Sequence, residues 1–210
     1  MKYIFVAGAP GSKWSSVVKN IYYSSSIDRS DYRDAWTYYH DAPGAMELMH
    51  LGAYFDPGME CDLPEDITQL DQTQLETCFD QPFDNNSTGT RIIKSHIFSY
   101  EKNIRHLRAQ FVDCAIVLVR RSNDSCLGWW VKCGHFDITY PKYDLYYQNL
   151  RVMAQRIAEQ NAGIEQAIHD SPQACRVHNN LDLCRILGIA QPPTQYWQNY
   201  AVSDIEVQVI

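Results

Sequence analysis

A chain of 210 residues is long enough to bury a sizeable core and has the size of one domain. Its 45% hydrophobic and 20% charged residues are the composition of a folded globule and not of a disordered segment. A formal net charge of −7 and a pI near 5.4 exclude a nucleic-acid binder that works through a broad basic face.

In chain order, Tyr3 to Ala7 is a short apolar run suited to a buried strand. Gly8-Ala9-Pro10-Gly11-Ser12 then breaks the pattern with turn-forming residues. Trp14, Val17, Val18, Ile21 and Tyr22 follow at the spacing of a helix with one buried face. Strand, glycine loop and helix aim free backbone N–H groups and a positive helix end at one point, which suits a phosphate. Lys2 and the run after it have the outline of a signal peptide ending at Ala7-Gly8-Ala9. The apolar run is shorter than the roughly 7–15 residues of such a segment, and cleavage would destroy the strand–loop–helix unit.

Ala35 to Tyr39 reads as a second strand, and Ala45 to Ala53 as a short helix. No Lys or Arg lies between Arg33 and Arg91, while 12 of the 25 carboxylates do, so the rest of the chain is mildly basic. Pro43, Pro57, Pro64 and Pro82 punctuate this stretch, which predicts an acidic, loop-rich insertion at about 40–90. Asn85 and Asn86 begin N-x-S/T sequons and are read as turn residues.

Arg91 to Lys94 restarts the regular pattern, and a helix carrying Ile104, Leu107 and Phe111 follows. Cys114 to Val119 is a continuous apolar run, the pattern of a strand buried on both faces. Cys126, Trp129, Trp130 and Cys133 repeat at helical spacing, with the two tryptophans read as core. Tyr143 to His169 predicts one long amphipathic helix, Cys175 to Val177 a short strand, and Leu181 to Leu187 a helix closed by Gly188. Ile205 to Val209 alternates like an exposed strand or a disordered tail. The predicted fold class is three-layer α/β: a mainly parallel sheet with helices on both faces and ligands at the carboxyl ends of its strands. Seven cysteines, at 61, 78, 114, 126, 133, 175 and 184, form no CxxC pair. They read as reduced thiols of a cytoplasmic protein. No run approaches the roughly 18 apolar residues of a membrane span.

Two chemistries compete for the first loop. Gly8 to Ser15 resembles a Walker A sequence of the adenylate-kinase type, but Ser12 meets Lys13 where that motif has a glycine. A kinase also needs a carboxylate near the end of a neighbouring strand to hold Mg²⁺. Here the strands end in Lys94 and Arg120, and Asp124 lies beyond the strand end.

Three segments, Pro10 to Ser16, Lys94 to His96 and Arg120 to Asp124, resemble in that order the cytosolic-type sulfotransferases that use 3′-phosphoadenosine-5′-phosphosulfate. Pro10-Gly11-Ser12-Lys13-Trp14-Ser15-Ser16 is similar to their PKSGTTW loop, and Lys94-Ser95-His96 to the KTH that ends a strand. Arg120-Arg121-Ser122-Asn123-Asp124, running on to Gly128, Trp129 and Trp130, is similar to their RNPKD segment. Arg176 to Ile189 is similar to the YEDL…FLG segment near the family's end. The resemblance covers about half the chain and implies a P-loop-like nucleotide-binding core in a single domain spanning 1–210.

It further implies metal-free, in-line transfer of a sulfuryl group to a hydroxyl of a small molecule or carbohydrate. His96 would take the acceptor proton, and Lys13 with the N–H groups and hydroxyls of residues 10–16 would hold the transferring end. Arg120 would clamp the donor's 3′-phosphate, with Arg121 as the alternative. The family's loop lysine is replaced by Gly11, and Lys13 stands in the glycine's place. The serine expected on the 3′-phosphate is Gly128, leaving Ser122 or Ser125 as substitutes. Val177 or His178 stands at the tyrosine of YEDL, and of the RKG region only Trp197-Gln198-Asn199 has a counterpart. An acidic wall near the loop would disfavour polyanionic acceptors. A kinase with a degenerate Walker A and a non-catalytic nucleotide binder are the alternatives.

Overall fold

The computed structural model describes residues 1–31, 51–57, 61–132, 143–194 and 204–210. The first apolar run forms β1 (Tyr3–Gly8), buried at every position. A strand without a polar side needs cover on both faces, and β1 runs parallel between β3 (Arg91–Ser95) and β4 (Ala115–Arg121). Beyond β3 lies β2 (Ala53–Tyr54), also parallel. Beyond β4 lies the antiparallel β6 (Ile205–Val209), followed at the edge by β5 (Cys175–Arg176). Among the described residues the chain is an α/β protein with a six-stranded, mostly parallel sheet in the order β2-β3-β1-β4-β6-β5.

Alternation along β1 divides the core. Ile4 and Val6 face α1 (Trp14–Tyr22) and α7 (Asn180–Leu187), packing with Val17, Ile21, Leu183 and Leu187. Tyr3, Phe5 and Ala7 face α2 (Gln72–Asp80), α3 (Glu101–Gln110) and α6 (Leu150–His169). There the rings of Phe5, Phe79, Phe98 and Phe111 meet edge-on or tilted at centroid distances of 5.3–5.9 Å. A third cluster, at the carboxyl end of β1, joins Ala9 to α4 (Asn123–Lys132), α5 (Tyr143–Tyr147) and α6 through Cys126, Trp130, Tyr147 and Met153.

Several expectations are corrected. The helix expected over Tyr143–His169 is broken where Gln148 takes a φ of +55°. Asn149 then accepts hydrogen bonds from the N–H groups of Arg151 and Val152, starting α6 afresh. The carboxyl-terminal alternation is neither an exposed strand nor a disordered tail: β6 is interior to the sheet, with Val207 and Val209 buried on the side that α7 covers. Ala53, expected to end a helix, begins β2. Residues 45–50 of that expected helix, and the strand expected at 35–39, lie outside the described residues.

Within the acidic stretch, Asp71 and Gln74 form a capping box that starts α2, whose Leu75 and Phe79 are core. This part of the stretch is helical and packs into the core. Asp80 accepts hydrogen bonds from Lys2 and Tyr3 and pairs with Arg91, at the amino ends of β1 and β3. Glu65 and Asp66 pair with Arg156 and Lys102 on α6 and α3. Asp80 therefore lies at the end of the sheet away from Lys13.

Candidate functional site

β1 delivers the chain to the carboxyl edge of the sheet, where Ala9–Lys13 curl back and start α1. Ser12 N–H donates to the Ala9 carbonyl at 2.9 Å, and Ser16 N–H to the Lys13 carbonyl at 2.9 Å. Gly11 has a φ of +79°, and a Cβ there would overlap the Cys126 carbonyl oxygen. Only glycine lets α4 rest on this loop. Lys13 is also left-handed, at φ +63°, directly before the first residue of α1. That conformation favours the glycine found there in the sulfotransferase motif. The Lys13 ammonium lies 4.5 Å from the centre of the Trp129 ring. Pro10, Ser12 and Trp14 are buried, and Ser15 and Ser16 half-buried. The Ser12 hydroxyl has no hydrogen-bond partner among the described residues.

The next strand adds a dense polar cluster. Lys94, at the level of Val6 in the sheet, is fully buried, and its ammonium nitrogen has no hydrogen-bond partner among the described residues. It lies 5.9 Å from the ring centre of Trp14 and 5.5 Å from that of Tyr54. Burial pulls its pKa down to about 7, opposed by the charges of Asp31 and Asp56. His96 stacks on Trp14 at 4.1 Å between ring centres, with Tyr54 edge-on at 5.7 Å. Its Nδ1 faces the Gly8 carbonyl. A carbonyl can only accept, so Nδ1 carries the proton and Nε2 the lone pair. Burial drives the imidazole pKa down to about 3, so the ring is neutral at physiological pH.

Asp56, fully buried at the end of β2, ties this cluster together. It accepts from the Tyr54 hydroxyl at 2.7 Å, the Ser95 hydroxyl at 2.8 Å, and the backbone N–H groups of His96 at 3.0 Å and Ile97 at 3.3 Å. Its Oδ2 is 3.9 Å from His96 Nε2. Burial raises its pKa to about 7 against these four donors, each of which favours the carboxylate. Both of its oxygens are thus engaged by hydrogen bonds from β2, β3 and the turn after β3.

At the end of β4 the two arginines part. Arg120 pairs with Glu165 of α6 and, at 3.2 Å, with Glu206 of β6. Arg121 turns to the loop, donating to the Gly11 carbonyl at 3.1 Å and pairing with Asp204 at 2.7 Å. The Ser125 side chain helps hold Asp204 ionised. Gly128 is exposed on α4, and a Cβ added there would meet no atom within 4 Å. Trp130 is core, and Trp129 lies under Lys13.

The fold thus brings residues 10–16, Lys94–His96 and Arg121 to the carboxyl ends of β1, β3 and β4. There α1 departs to one face of the sheet and α4 packs with α6 on the other, the kind of crevice in which open α/β sheets bind ligands. Arg120 and Gly128 are not drawn into it. Arg121, the alternative clamp, takes the place expected of Arg120, while Lys94 and Asp56 belong to the cluster without a role assigned from the sequence. Lys94 was legible as the neighbour of His96 in its motif; Asp56 is one of twelve carboxylates in its stretch and carries no local signal. Cys133 and Trp197–Asn199 lie outside the described residues. No family model, curated protein or solved structure matches the chain.

Proposed function

We propose that the chain is a metal-independent sulfotransferase with a P-loop-like core. It would bind 3′-phosphoadenosine-5′-phosphosulfate at the Ala9–Ser16 loop and transfer the sulfuryl group to a hydroxyl of a small molecule or carbohydrate. The observation that carries this reading is convergence. Three segments that resemble one family, far apart along the chain, meet at the ends of three adjacent strands.

The residues present fit the donor's charged end. Ser12 and Lys94 each hold a buried polar group without a partner among the described residues, which an anion would satisfy. The start of α1 has no side-chain cap, so its first N–H groups are free of that competitor. On the 3′-phosphate side Arg121 and Ser125 stand nearest the loop, and both would exchange their contacts to Asp204 for the phosphate.

In the proposed transfer the acceptor oxygen bonds to sulfur as the bond from sulfur to the 5′-phosphate oxygen breaks. His96 Nε2 takes the acceptor proton, and the Asp56 carboxylate 3.9 Å away stabilises the imidazolium that forms. Lys94 and the loop N–H groups offset the charge that grows on the departing phosphate. Trp14 and Tyr54 hold the imidazole in place and keep water from it.

Calorimetric titration with 3′-phosphoadenosine-5′-phosphate in EDTA, and separately with ATP and Mg²⁺, tests the reading. The bisphosphate is expected to bind without metal, and Arg121→Ala to weaken it at least about tenfold, the loss of a charge-assisted contact. Binding of ATP with Mg²⁺ alone would transfer the site to a kinase. Bisphosphate binding without sulfuryl transfer to any of a panel of phenols, alcohols and sugars would leave a nucleotide-binding protein.

A further inference from the structure

Lys94 is the anomaly of the molecule: a fully buried lysine whose amine has no hydrogen-bond partner among the described residues. The elements packed against it bring charges and rings but not that partner. From α1 come Trp14, at 5.9 Å to its ring centre, and Lys19, whose charge opposes an ammonium here. After α1 comes Asp31, with a hydrogen bond from the Tyr22 hydroxyl at 3.2 Å. From β2 come Tyr54, at 5.5 Å to its ring centre, and Asp56, whose oxygens are held by four other donors. Along its own strand stands His96, neutral and turned to Gly8 and Asp56.

An ammonium in such a place lacks the hydrogen bonds that water would give it, and two ring faces at this distance replace only part of them. We propose that the site captures the anionic end of its ligand together with one proton, Lys94 being a neutral amine in the empty protein and an ammonium in the bound one. This rests on the donor-site reading above only for the identity of the ligand; the coupling itself belongs to any sulfate or phosphate oxygen that reaches the amine. Such an oxygen supplies the missing hydrogen-bond partner and an opposite charge at once, and both favour the protonated form. The proton comes from solvent, and no covalent bond is made or broken.

Linkage sets the sign. The empty site titrates near 7, and a bound anion returns the amine toward its ordinary range, so binding takes up a proton at any pH between the two values. At pH 8 the uptake is about 0.9 proton per site, and above neutrality the affinity falls about tenfold per pH unit. Sulfate is the cleanest probe, because it does not itself titrate in this range. Phosphate esters do, near pH ~6.

The experiment is an NMR titration of the protein labelled with [¹³Cε]lysine, with the Lys94 resonance assigned by Lys94→Arg. It is run from about pH 5.5 to 9.5 on the empty protein, with sodium sulfate, and with 3′-phosphoadenosine-5′-phosphate. Calorimetry of the bisphosphate at about pH 8, in two buffers of different ionisation enthalpy, counts the protons. The expected result is a Lys94 midpoint near 7 that rises by at least about two units with either ligand, and a buffer-dependent enthalpy that Lys94→Met abolishes. Bisphosphate binding with an unmoved Lys94 midpoint and no proton uptake would overturn the coupling and leave the nucleotide site standing. A midpoint raised by sulfate with no binding of the bisphosphate would uphold the coupling and overturn the nucleotide reading. A Lys94 that titrates near its ordinary value of about 10 in the empty protein, or that neither ligand moves, overturns the coupling outright. The wild-type titration decides these outcomes even if Lys94→Met does not fold.

Discussion

Gly11 and Gly128 respond oppositely to the same added methyl group. At Gly11 a Cβ overlaps the Cys126 carbonyl and the backbone has a φ of +79°. Gly11→Ala is expected to destabilise the fold by more than about 2 kcal/mol in urea unfolding. Gly128 is exposed in α4 with nothing within 4 Å of an added Cβ, so Gly128→Ala should stabilise by up to about 1 kcal/mol through helix propensity. The buried titratable groups set the response to pH. His96, lowered from 6.5 to about 3, leaves the unfolded chain holding the extra proton between those values. Its contribution to stability is complete above 6.5 and is lost on acidification. Asp31 and Asp56, raised from 3.8 to about 6 and about 7, act in the opposite sense, each over its own window. Lys94, lowered from 10.5 to about 7, again favours the folded state as pH rises. Between about pH 7 and 8.5 stability should therefore rise by up to about 1.4 kcal/mol per pH unit, and the slope should vanish in Lys94→Met.

At the scale of elements, the last strand has the largest consequence for its length. β6 hydrogen-bonds to β4 on one side and β5 on the other, and buries Val207 and Val209 beside Val117 and Val119. A chain ending at residue 203 would expose one edge of β4 and leave β5 without its partner. Such a truncation is expected to lose cooperative thermal unfolding and to aggregate, whereas a tail that merely lay on the surface could be removed without effect. Calorimetry and light scattering distinguish the two. The element also carries Glu206 to Arg120, and Asp204 just before it reaches Arg121, so the loss would extend to the loop as well as the sheet.

Across the whole molecule, charge is arranged end to end. The amino ends of the strands are tied by Arg91, which pairs with Asp28 at 3.2 Å and with Asp80. Asp28 also accepts from Ser30 and Ser87. Arg91 and Asp28 are buried, so Arg91→Ala leaves two carboxylates near each other without their shared cation. The expected loss is about 3–5 kcal/mol in denaturant unfolding. The carboxyl ends carry the loop, Lys94 and His96, and there Ser12 and Lys94 lack partners among the described residues. The buried Arg91–Asp28 pair thus lies at one end of the sheet, and the unpartnered Ser12 and Lys94 groups at the other.

Elements whose signals act within a few residues were legible in the sequence. The β1–loop–α1 unit follows from an apolar run, a glycine turn and helical spacing. The continuous apolar run of β4 requires burial on both faces, and Gly188 in the left-handed region closes α7. Long-range pairing was not legible. Nothing in Ile205–Val209 states that it will lie between two strands, because an alternating segment satisfies its backbone against any available edge. Adjacent strand residues point to opposite faces. Which of Arg120 and Arg121 meets the loop therefore waits on the face that α6 covers and on the pairing of Arg120 with Glu206. Asp56 became the centre of a buried cluster only when β2 was laid beside β3. The sequence by itself determined β1, the loop, α1, β4 and α7, and the order of the three motif segments. Tertiary structure alone decided which of their side chains meet, because that is set by sheet register and by the faces that helices from distant parts of the chain cover.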